Sequence, residues 1–123
     1  MMTPAELAEG IVGILEAKLG EDIVAINLSG QTALADYFVI ATAGSSVHAR
    51  SLAEAVVAGM KERGERVKHV EGLEHGQWAL LDYVDVIVHI FSGEARQFYG
   101  LERLWGDLPT ARRGGATPSP KMP

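Results

Sequence analysis

The chain has no cysteine and few aromatic residues, with two Trp, three Tyr and three Phe among 123 residues. The absence of cysteine excludes a disulfide framework, a thiolate nucleophile and any cysteine metal site. No apolar run approaches the roughly 20 residues that a membrane-spanning helix needs. The opening MMTPAELAEG has neither the basic cluster of a secretory signal nor the arginines of a transit peptide, so cytoplasmic residence is the expectation. Basic residues are also scarce over most of the chain. Residues 1–108 hold all 16 Asp and Glu but only eight of the 11 Lys and Arg, a net charge of −8. A body this acidic repels phosphate backbones, because non-specific nucleic-acid binding depends on clustered Lys and Arg that release counterions. Neither a nucleic acid nor a membrane is expected as a direct partner. The charge favours a basic protein surface.

At this length one domain with a sizeable core is possible and two are not. The expectation is a single domain over residues 1–108, followed by a basic, Pro- and Gly-rich tail at 109–123 without periodicity or fixed structure. Thr3-Pro4-Ala5-Glu6 is a capping box with proline at the first helical position. Leu7, Ile11, Ile14 and Leu15 then recur at helical spacing up to Gly20, which predicts a helix over 4–19. EDIVAINL (21–28) reads as a half-buried strand, and YFVIATA (37–43), apolar almost throughout, reads as a central strand covered on both faces. Gly44-Ser45-Ser46 offers a hydroxyl cap to a second helix at 46–63, whose buried face is Leu52, Val56 and Met60 and whose stop is Gly64. RVKHVE (66–71) alternates as a strand, parallel to the one before the helix.

The most informative stretch is WALLDYVDVIVHIF (78–91). Two apolar runs flank the acidic break Asp82-Tyr83-Val84-Asp85, the pattern of two strands joined as a β-hairpin. Alternation puts Trp78, Leu80 and Asp82 on one face, and Asp85, Ile87, His89 and Phe91 share a face on the return strand. A core strand rarely carries so many polar groups, since each must be hydrogen-bonded or left in water. A short helix is expected from Ser92 through Phe98 and Tyr99, broken at Gly100 and resumed as LERLW. The fold class is thus α/β, a five-stranded mixed sheet flanked by helices. Trp78, Tyr83, Phe91, Phe98, Tyr99 and Trp105 crowd the last third of the ordered chain, and aromatics interleaved with acids suit the anchors of a protein interface.

Other motifs have plainer readings beside their chemical ones. Gly44-Ser45-Ser46 can cradle an anion at a helix start, but the lysine of a full P-loop is missing, and an ordinary cap is the simpler use. Asp82 and Asp85 can hold a divalent cation, yet Asp at either end of a turn commonly serves local hydrogen bonding. His48, His69, His75 and His89 lack metal-ligand spacing. His89 beside Asp85 has the elements of a general base, and equally those of a core histidine with one satisfied hydrogen bond. Ser45 and Ser46 lack a GxSxG elbow. No catalytic constellation, cofactor or metal site is expected.

Three blocks, ADYFVIATAGSSVHA (35–49), VEGLEHGQWALLDYVDVIVHIF (70–91) and RQFYGLERLWGD (96–107), resemble the signature blocks of the ribosomal silencing factor family, also called the Iojap or RsfS family. The resemblance spans about residues 4–108. It implies a nucleotidyltransferase-like sheet and a noncatalytic factor that binds the large ribosomal subunit through its protein L-fourteen. It further implies that binding blocks association with the small subunit and represses translation under nutrient limitation, and that the factor is a homodimer. The contact residues it implies are Trp78, Leu81, Asp82 and Tyr83, with Tyr99, Glu102 and Trp105 as further candidates. One position departs from the family, which usually has glycine where this chain has Val84. A β-branched residue resists positive φ, so this turn is expected to be strained or rebuilt. The rival reading is a nucleotidyltransferase-like enzyme using nucleotide and Mg. Against it, the acids between Ser46 and Arg66 are Glu54, Glu62 and Glu65, on or ending the helix rather than on a strand.

Overall fold

Thr3 opens the first helix as anticipated, its hydroxyl accepting from the Glu6 N–H while the Glu6 carboxylate accepts from the Thr3 N–H. The computed structural model describes residues 2–30 and 33–93, and residues 110–113 as backbone. Helix α1 runs Pro4–Ala17, followed by strands β1 (Glu21–Asn27) and β2 (Tyr37–Ala43). Helix α2 (Ser46–Glu62) leads to β3 (His69–Glu71), β4 (Trp78–Asp82), β5 (Val86–Ser92) and β6 (Thr110–Arg113). Among the described residues the sheet has six strands in the order β3-β4-β5-β2-β1-β6.

The mixed sheet agrees with the expectation, and its centre is the parallel pair β2 and β5, in register from Tyr37↔Val86 to Ala43↔Ser92. Every other pairing is antiparallel. Strands β2 and β3 therefore run parallel but are not neighbours, because the β4–β5 hairpin lies between them. Both described helices pack on one face. There Leu7, Ile11 and Leu15 of α1 and Leu52, Val56 and Met60 of α2 meet Val39, Ala41, Leu81, Val88 and Ile90. The opposite face carries a second cluster, with Val24, Ile26, Phe38, Ile40 and Phe91 buried and Trp78 and Ile87 partly so. Since strand side chains alternate, β2 is apolar almost throughout because it supplies both clusters.

Three expectations need correction. The sheet has a sixth strand where no regular structure was anticipated: Thr110–Arg113 pairs antiparallel with β1, from Ile26↔Thr110 to Ile23↔Arg113, past the boundary placed at 108. Strand β3 is three residues long, not six. Its pairing begins only where the Lys68 N–H reaches the Asp82 carbonyl at 2.7 Å. Helix α1 also stops earlier than Gly20, because Leu19 itself takes the left-handed conformation, with φ 69°. Of the helix expected from Ser92 through Tyr99 and resumed at 101–105, residues 94–105 lie outside the described residues.

The loop between β3 and β4 is seated on the start of α2, which fixes where the hairpin begins. Gly76 has φ 72°, and a Cβ there would lie 2.6 Å from the Ser46 carbonyl oxygen, so only glycine lets the loop come this close. Arg50 adds a hydrogen bond from Nη1 to the Glu74 carbonyl at 3.1 Å.

Candidate functional site

The hairpin register sets Trp78 opposite Phe91, Leu80 opposite His89 and Asp82 opposite Ile87. These six side chains share the sheet face away from the two described helices. Trp78 is half-buried and stacks on Phe91, with ring centroids 5.2 Å apart and planes at 29°. Its indole N–H donates diagonally to His89 Nδ1 at 3.1 Å. Phe38 of β2 closes on His89 from the other side at 4.7 Å. The result is an aromatic patch whose most accessible ring is Trp78. Because Nδ1 accepts from an indole, it carries no proton, and the neutral imidazole holds its hydrogen on Nε2. That Nε2 is buried without a hydrogen-bond partner among the described residues. Burial drives the His89 pKa down to about 4, so the ring is neutral at physiological pH. This is the core-histidine reading rather than the general-base one. Asp85, the expected partner of a general base, sits exposed in the turn.

The hairpin tip is built from backbone and carboxylate together. Tyr83 donates its N–H to the Val86 carbonyl and accepts from the Asp85 N–H, both at 2.9 Å. The second bond spans a single residue, a γ-turn centred on Val84 with φ 75°. Oδ1 of Asp82 accepts from the Val84 N–H at 2.7 Å, and the Asp85 carbonyl accepts from the N–H groups of Asp36 and Tyr37 at 2.8 and 3.1 Å. The tip is therefore fixed by its own carboxylate and by the strand beside it. The turn is strained rather than rebuilt.

The four predicted site residues that are described, Trp78, Leu81, Asp82 and Tyr83, do not form one surface. Trp78 and Asp82 share the aromatic face. Leu81 and Tyr83 are one residue out of phase and point into the helix-side core, where Leu81 is fully buried and Tyr83 nearly so. A strand cannot aim adjacent side chains at one partner, so these two support the hairpin from behind. The Tyr83 hydroxyl is buried without a hydrogen-bond partner, and its pKa is pushed up to about 12, by burial first and then by the charge of Glu65. Tyr99, Glu102 and Trp105 lie outside the described residues. Reasoning from sequence did not attach Phe38 to the site, although its place in the alternation of 37–43 was the available signal.

The Gly44-Ser45 turn is used as a cap. Ser45 Oγ accepts from the His48 N–H at 3.0 Å, and the Gly44 N–H donates to His48 Nδ1 at 3.0 Å. Among the described residues no group of three or more His, Asp or Glu is placed to share a metal ion. None of their helices is long and apolar enough to cross a membrane.

The family model described as ribosomal silencing factor during starvation matches residues 2–121. The chain belongs to that family. A silencing factor from Halalkalibacterium halodurans is 36% identical over 114 residues, covering 93% of this chain and 97% of that protein. A crystal structure of a Chromobacterium violaceum protein has the same fold, with a TM-score of 0.83 and 33% identity over 96% of this chain and 92% of that one. A more distant relative, the Mus musculus protein named mitochondrial assembly of ribosomal large subunit protein 1, is 28% identical over 98 residues, 77% of this chain and 43% of that protein. The span matched by the silencing-factor family includes the whole hairpin and also Tyr99, Glu102 and Trp105.

Proposed function

We propose that this chain silences ribosomes by steric exclusion: it binds the large subunit through protein L-fourteen and prevents the small subunit from joining. Translation would thereby be repressed when nutrients are short. The observation that carries this reading is Trp78, a half-buried indole fixed by a stack and a hydrogen bond, with Asp82 on the same face of the strand four residues further along. A rigid aromatic anchor sharing a strand face with an acid suits a basic protein surface, as ribosomal proteins commonly present. In this reading Trp78 and Asp82 touch the partner directly, Leu81 and Tyr83 hold the hairpin against the core, and Tyr99, Glu102 and Trp105 extend the contact. The working form is a cytoplasmic homodimer, and no catalytic step is involved. The sheet is nucleotidyltransferase-like in this reading, but no specific observation favours the nucleotide- and Mg-using alternative, since its serine turn is engaged in capping α2.

The test is co-sedimentation of the purified protein with separated subunits, followed by addition of the missing subunit. Selective binding to large subunits with reduced joining is expected. Binding to neither subunit would remove the proposal.

A further inference from the structure

Val84 is the feature of the hairpin that the fold itself does not account for. Valine branches at Cβ and is a poor choice for positive φ, where glycine has no steric penalty. Yet Val84 sits at φ 75°, held there by the Asp82 carboxylate on its N–H and by the Tyr83–Asp85 bond across it. A strained residue is usually retained because its side chain is needed inside. Here the reverse holds: Val84 is 54% exposed, while its neighbours Tyr83 and Val86 are 6% and 0% exposed. The strain brings no burial in return within this chain.

We propose that Val84 is a contact residue of the docking hairpin, its isopropyl group seating in an apolar recess on a basic protein of the large subunit. This rests on the docking reading above and adds a residue to it. Two features favour that occupant. Asp82 and Asp85 flank Val84 in the turn, the Asp82 carboxylate held on the Val84 N–H and Asp85 exposed, so a small apolar knob has an acid on either side of it in the chain. The complement is a shallow apolar depression rimmed by Lys and Arg. The strained turn also fixes the backbone, so the knob is presented without loss of loop entropy on binding.

Val84→Gly and Val84→Ala separate the contact from the strain. Affinity for purified large subunits would be measured for both, beside the parent chain and Asp82→Lys, together with each thermal midpoint. Both Val84 variants are expected to bind about 5-fold more weakly, roughly the effect of withdrawing a partly buried valine. Val84→Gly is expected to melt a few degrees higher, because its turn is relaxed. If the parent binds, Asp82→Lys binds weakly and both Val84 variants bind like the parent, the inference about Val84 is overturned while the docking reading stands. If the parent itself does not bind large subunits, both are overturned.

Discussion

The indole N–H of Trp78 lies 3.1 Å from Nδ1 of His89, and this bond sets the tautomer of a buried imidazole. Protonating Nδ1 would turn two donors toward each other and place a charge among Phe38, Trp78 and Phe91. Burial among these rings lowers the pKa of His89 from 6.5 to about 4. The unfolded chain therefore binds a proton that the folded chain resists, and linkage makes stability fall as pH falls between those values. The contribution is fully present above about pH 6.5 and is lost on acidification through about pH 4. Its size is on the order of 3 kcal/mol. Urea unfolding across this window should show that decline, and His89→Gln should flatten it. An unchanged slope in the variant would mean that other groups control the acid response.

The two helices end in the same motif with different residues at its critical position. After α2, Gly64 at φ 87° donates to the Lys61 carbonyl while the Glu65 N–H reaches Met60. After α1, Leu19 at φ 69° donates to Glu16 while the Gly20 N–H reaches Leu15. Both are Schellman ends, and the left-handed position favours glycine. Leu19 is 76% exposed and gives up little packing on replacement. Holding an L-residue there costs roughly 1–2 kcal/mol, of which glycine's freedom in the unfolded chain returns part. Leu19→Gly should therefore stabilise the protein by about 0.5–1 kcal/mol, read as a higher urea midpoint at unchanged slope. A lower midpoint would show that Leu19 has a packing role the exposure does not reveal.

How much of this was legible beforehand follows the range of the interactions involved. Thr3 and Glu6 lie three residues apart and satisfy each other, so the capping box could be read directly. The hairpin and the two-sided burial of β2 follow from alternation, which fixes faces once the strands are placed. The same alternation puts Leu81 and Tyr83 behind the sheet from Trp78 and Asp82, a consequence that a site drawn from resemblance overlooked. The γ-turn at Val84 was not legible in detail, because distant N–H groups on Asp36 and Tyr37 hold the Asp85 carbonyl. Strand β6 left no pattern in Thr110–Arg113, since its partner is the edge of β1 and its pairing uses backbone groups that any residue supplies.

Asp82 has two separable roles, and separating them tests the electrostatic part of the docking reading. Oδ1 accepts from the Val84 N–H at 2.7 Å, a structural role that an amide oxygen can fill. In the docking reading its charge is the part that faces a basic partner. Asp82→Asn keeps the acceptor and removes the charge, so stability should change by less than about 0.5 kcal/mol, as for most surface substitutions. Large-subunit binding should weaken several-fold at low salt. Exposed charge pairs are screened over about 8–10 Å near physiological ionic strength, so the difference between parent and variant should narrow as salt is raised. Co-sedimentation over a salt series reads both effects. Equal binding at every salt concentration would confine Asp82 to holding the turn and leave Trp78 as the hairpin's anchor.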